Sequence, residues 1–123
     1  MDKIIGGMEM QDVNGKIQVK GKEYPLVFNL NVMEKIQQEY KTLDNWGALT
    51  DGKNGEPNAK AVIFGFTEMI NEGIDIQNEG QGTKEPFLTT KQVGRIITEY
   101  GLREATTQLN NTVVASTQTT EKN

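Results

Sequence analysis

The chain contains neither cysteine nor histidine. Without cysteine there is no disulfide, no thiolate nucleophile and no Cys-ligated zinc. Without histidine it lacks the side chain whose ordinary pKa best suits proton transfer near neutral pH. Its one serine, Ser116, falls in a polar C-terminal stretch, which leaves no serine–base pair for nucleophilic catalysis. Carboxylate pairs do occur, Glu68 with Glu72 and Glu99 with Glu104. No nucleophile or metal-ligand set accompanies them, so they read as solvated helix faces. The expectation is a protein that is not an enzyme and needs no cofactor and no metal.

Cationic charge is also scarce. The 13 Lys and Arg are scattered and outnumbered by 17 Asp and Glu, for a formal charge of −4 and a pI near 4.9. A nucleic-acid binder needs a positive footprint to displace counterions from phosphates, so no nucleic acid is expected as a partner. No apolar run approaches the ~18 residues of a membrane span. The first residues, with only Ile4 and Ile5 before Gly6-Gly7, do not read as a signal peptide. A cytoplasmic protein is expected, in which the sequon Asn110-Asn111-Thr112 stays unused.

Phosphate and calcium motifs fail on inspection. Gly80-Gln81-Gly82 lacks the Gly-Lys-Ser/Thr ending of a P-loop. Asp75, Gln77, Glu79 and Gly80 imitate the start of an EF-hand loop, but its twelfth position, which requires a bidentate carboxylate, is Pro86.

What is present is enough for one modest core. The chain has 123 residues, of which 35% are hydrophobic, against roughly 45–50% in average globular chains, a figure that also counts glycine. The pattern predicts an α+β domain over residues 1–114 and a polar, disordered tail over 115–123. Its first thirty residues read as an antiparallel β-meander of two to three strands. Asn14-Gly15 is the strongest local hairpin signal. It sets Met10 opposite Val19, and a second, four-residue loop over 20–23 sets Ile17 opposite Leu26. The apolar face is then Met8, Met10, Ile17, Val19, Tyr24, Leu26, Phe28 and Leu30. Pro25 marks residues 24–30 as an edge strand.

Three to four helices are expected to pack on this sheet. Val32, Met33, Ile36, Tyr40 and Leu43 share one helical face, with Asn31 as N-cap and an end by Trp46-Gly47. Residues 50–58 read as an exposed loop. A second helix over 58–72 carries Val62, Ile63, Phe66, Met69, Ile70 and Ile74, with Gly73 opening its exit and a loop over 75–86. Its apolar arc is the widest in the chain, which marks it as the central helix. Thr89 and Gln92 fit a capping box, Leu88 and Val93 a hydrophobic staple, and Gly101 a C-cap. A fourth helix would carry Leu102, Ala105, Leu109 and Val113, and its Thr- and Asn-rich composition needs a partner surface.

A wide apolar helix is either central to a core or paired with a neighbour. Phe64, Val62, Phe66, Met69, Ile70 and Trp46 are therefore the candidate partner or oligomer contacts, together with the sheet edge. For Trp46 core packing is the stronger expectation; for Phe64 the two readings are balanced.

The order of segments resembles a family. Lys20-Gly21-Lys22-Glu23-Tyr24 leading into Leu26, Phe28 and Asn31, then Glu34, Tyr40 and Leu43-Asp44, is similar to the opening of the tail assembly chaperones of tailed bacteriophages and prophages of Gram-positive bacteria. The likeness continues through Thr89-Thr90-Lys91-Gln92-Val93-Gly94-Arg95-Ile96-Ile97 and Gly101-Leu102, and spans residues 15–115. It rests on segment order and hydrophobic pattern. The resemblance implies a non-catalytic, homo-oligomeric protein of the bacterial host cytoplasm. Such a protein binds the tape measure protein, helps recruit tail tube protein and is absent from the finished particle. The structural alternative is a virion component, a tail tube or connector subunit.

Overall fold

A computed structural model describes residues 13–53 and 55–121, with side chains described over 15–53 and 55–116. It is an α+β fold. A two-stranded antiparallel hairpin, β1 (Val13–Val19) and β2 (Lys22–Phe28), is followed by five helices: α1 (Leu30–Tyr40), α2 (Leu43–Thr50), α3 (Ala59–Gln81), α4 (Thr90–Tyr100) and α5 (Leu102–Glu121). The expected strand with Met8 and Met10 lies outside the described residues.

The hairpin turns at Lys20-Gly21, where both residues have positive φ (53° and 79°), the geometry of a type I′ turn. Asn14-Gly15 is not a turn, because both residues lie within β1, opposite Val27 and Leu26. The glycine serves packing instead: a Cβ on Gly15 would sit 2.9 Å from Thr112 Oγ1 of α5. The four-residue loop is likewise replaced by a two-residue turn, so Ile17 faces Tyr24 and Pro25 faces Lys16. Val19 and Lys22 close the turn as a hydrogen-bonded pair, and antiparallel pairs alternate. Lys16 and Pro25 thus form a non-hydrogen-bonded pair, and the missing proline N–H points away from β1.

The shift by two residues preserves the faces. Ile17, Leu26 and Phe28 are buried, with Val19 and Tyr24 packed at the margin. Leu30 departs from the expected apolar face: it is the first residue of α1 and 64% exposed. Asn29, and not Asn31, caps α1, its side chain accepting from Val32 N.

The first expected helix is two helices. The chain breaks at Lys41 (φ 75°), after which Thr42 caps α2 by accepting from Asn45 N. Asn45 in turn donates to Tyr40 O. The central helix, α3, begins after its cap Asn58 as expected, but runs through Gly73 to Gln81, ending at the left-handed Gly82. Residues 75–81 are therefore helical, and Asp75, Gln77 and Glu79 belong to a helix and form no ion-binding loop.

α4 matches its sequence signals. Thr89 Oγ1 accepts from Gln92 N, and Gln92 Oε1 accepts from Thr89 N. Thr89→Ala is expected to cost about 1 kcal/mol, a loss that urea denaturation would measure. α5 does not end at Ala115, and the tail expected over 115–123 is helical as far as Glu121. Ser116 is fully buried on its inner face and donates to Phe28 O across 88 residues of sequence.

α3 lies along β2, α5 crosses β1, and α4 bridges α3 and α5. The core between them holds Ile17, Leu26, Phe28, Val32, Ile36, Trp46, Val62, Phe66, Met69, Ile70, Val93 and Leu109. Each such side chain contributes roughly 1.5–3 kcal/mol on burial.

Candidate interaction surface

The residues expected to meet a partner lie mostly inside. Val62, Phe66, Met69 and Ile70 are at most 1% exposed and Trp46 is 2% exposed. α3 has a wide apolar arc because β2, α1, α2, α4 and α5 pack around it. Five of the six proposed contacts are thus core residues of this chain. Trp46 also anchors α2, its indole Nε1 donating to Ala61 O at 3.0 Å. Phe64 is half-buried, edge-on to the Tyr40 ring with centroids 5.6 Å apart. The Tyr40 hydroxyl beside it is buried, with no hydrogen-bond partner among the described residues. Burial, and then the neighbouring Glu39 carboxylate, push its pKa up.

α3 also packs against the strand marked by Pro25. α3 comes so close that a Cβ on Gly73 would lie 2.7 Å from both Cβ and Cγ of Pro25. A cleft flanks this contact on each side. One, of about 330 Å³, lies among Lys16, Glu23, Val27, Ile76 and Gln77. The other, of about 360 Å³, runs between the start of β2, Ile74 and Gln81 of α3, and the segment after it. Ile76 lines the first cleft and is 40% exposed, and Phe87, in the segment after α3, is 55% exposed.

That segment, residues 83–88, is extended and laid back along α3. Asn71 Nδ2 donates to Leu88 O and Asn71 Oδ1 accepts from Leu88 N (3.0 and 2.8 Å). Two helical turns on, Asn78 makes the same pair with Glu85, at 3.0 Å each way. Sequence reasoning passed over both asparagines. The available signal was an amide side chain repeating at seven residues beside the apolar stripe of α3.

A polar joint pins α1 to α3. Glu72 Oε2 accepts from Asn29 Nδ2 at 2.8 Å and from Asn31 Nδ2 at 3.1 Å. One turn earlier, burial raises the Glu68 pKa, with Lys35 lowering it and Glu72 raising it further. A raised folded-state pKa means the folded chain holds more protons, so stability falls as pH rises through the interval between unfolded and folded values. Glu68→Gln is expected to melt higher than the original chain at neutral pH. The gain should vanish in acid below the ordinary carboxylate range.

Among the described residues no three acidic side chains are grouped to hold a metal ion. No helix among them is long and apolar enough to cross a membrane. In comparisons with known proteins, no family model, no curated protein and no solved structure matches this chain.

Proposed function

We propose that this chain is a tail assembly chaperone of a tailed bacteriophage or prophage, a non-catalytic protein of the bacterial cytoplasm. It binds the tape measure protein, assists recruitment of tail tube protein and acts as a homo-oligomer. The observation that carries the reading is the order of segments. A hairpin turning within Lys20-Gly21-Lys22-Glu23-Tyr24 leads directly into α1. Much later come the capped α4 and, after Gly101, α5. The resemblance drawn from those residues implies this order. The clefts beside Pro25, the first lined by Ile76, supply apolar surface for a partner now that the α3 stripe is internal.

The test is size-exclusion chromatography with light scattering, on the chain alone and mixed with tape measure fragments. The reading expects an oligomer and a co-eluting complex, and mass spectrometry of purified particles that finds no copy of the chain. Finding the chain in particles at a fixed stoichiometry would replace the chaperone with a tail tube or connector subunit.

A further inference from the structure

We propose that the Asn71–Asn78 face of α3 is a binding site for an extended polypeptide backbone, and that residues 83–88 are its resident occupant, displaceable by an extended segment of a client. The client identity rests on the chaperone reading; the site itself does not.

The geometry is that of a backbone reader. A primary amide offers one donor and one acceptor, the complement of one residue's C=O and N–H. Asn71 makes this two-way pair with Leu88, and Asn78 with Glu85. Their spacing on the helix is seven residues, about 10.5 Å of rise. Three residues of extended chain span about 10 Å. A helix repeat of seven therefore matches a strand repeat of three, and the occupant runs antiparallel to α3 with both reading positions in register.

The occupant is held by its main chain and by one side chain, Leu88, which packs against the core. Thr83, Lys84, Glu85, Pro86 and Phe87 are exposed, and only Leu88 is half-buried. Among the described residues, the one further side-chain bond to the reader is from Thr83 Oγ1 to Asn78 Oδ1, at 2.8 Å. A site that reads peptide groups and leaves side chains in solvent tolerates sequence. That is the requirement for gripping a long client without a fixed motif, as in strand-addition modes of recognition.

Competition with the resident segment governs what a second peptide experiences. Its apparent affinity is the intrinsic one reduced by the fraction of molecules whose site is vacant. Loosening the occupant must therefore strengthen binding in trans, and removing the reader must abolish it. These opposite signs separate a binding site from a loop that is merely tied down.

The experiment uses the full chain and a fluorescein-labelled peptide Lys-Glu-Pro-Phe-Leu-Thr-Thr, the sequence of residues 84–90, read by anisotropy. Leu88→Ala, which keeps both asparagines, is expected to bind it about fivefold or more tightly than the original chain. Thr83→Ala, at an exposed position, should move the same way and serves if Leu88→Ala fails to fold by circular dichroism. Asn71→Ala with Asn78→Ala in either background should abolish binding. So should a peptide whose leucine is N-methylated, because it has lost the N–H that Asn71 reads. Binding that survives the asparagine substitutions or the N-methylation, or no binding to any folded chain, overturns the proposal. A positive result with this peptide but none with tape measure fragments would keep the site and discard the chaperone reading.

Discussion

Gly65→Ala is expected to lower stability by about 2 kcal/mol, a fall in Tm of roughly 5–10 °C. At an unconstrained position inside a helix the same change would gain up to about 1 kcal/mol, because alanine orders more readily than glycine. The opposite sign follows from Trp46. A Cβ at residue 65 would overlap the indole at Cζ2 and lie 3.1 Å from Cε2. The ring has little freedom to move aside, since it is 2% exposed and tied to Ala61 O. Trp46→Phe alone should also destabilise, through a lost donor and a small void. Combined with Gly65→Ala it should cost less than the sum of the two, because the smaller ring makes room for the methyl. Urea denaturation of the four chains measures this coupling. An increase in stability for Gly65→Ala alone would mean that α2 does not pack on α3 in this way.

Gly73→Ala should cost a similar amount for a different reason. Its Cβ would meet Cβ and Cγ of Pro25 at 2.7 Å and Val27 Cγ2 at 3.4 Å. A proline ring cannot rotate out of the way. The strain must move α3 off β2, and the damage should begin locally at the hairpin. Hydrogen exchange should show amides of β2 losing protection before those of α4. Pro25→Gly in the same chain removes both obstructing carbons and should recover part of the loss. An unchanged Tm with unchanged β2 protection would refute the close approach of helix and strand.

Gly73, together with Gly15, also shows what could and could not be read from sequence. Thr89, Gln92 and Gly101 were legible because capping is local: donor, acceptor and helix end lie within a few residues. The core residues were legible from their spacing, since one buried face repeats at three and four. Gly15 and Gly73 misled, because a glycine that supplies conformational freedom looks the same as one that makes room. At Gly15 the neighbour is Thr112 of α5, and at Gly73 it is Pro25 of β2, neither close in sequence. The true turn, Lys20-Gly21, carries a lysine at positive φ and gave a weaker signal than Asn14-Gly15.

α5 was foreshortened for a related reason. Its later turns look like a polar tail, yet Thr112 and Ser116 are buried. Small hydroxyl residues suit a tight interface when their own helix or a neighbour accepts the proton, as Gln108 O does for Thr112 and Phe28 O for Ser116. The interaction surface was the least legible part. Periodicity reports that an arc is apolar and says nothing about whether it is covered from within the same chain. The width of the α3 arc reflected five neighbouring elements, while the amides of Asn71 and Asn78 have a meaning only once residues 83–88 are seen beside them.

The bond from Ser116 to Phe28 joins opposite ends of the described chain, as does the packing of Thr112 on Gly15. On the ribosome this delays completion. At about 5–20 residues per second, the hairpin emerges seconds before α5 can reach it, and until then the part of it that α5 covers stays open. Local helices can form in that interval, but the hairpin's core face cannot close until residues near 116 have left the exit tunnel. The nascent chain thus presents part of the sheet's apolar surface to solvent, and early ribosome-bound stages should be far more open to protease in the hairpin than the released protein.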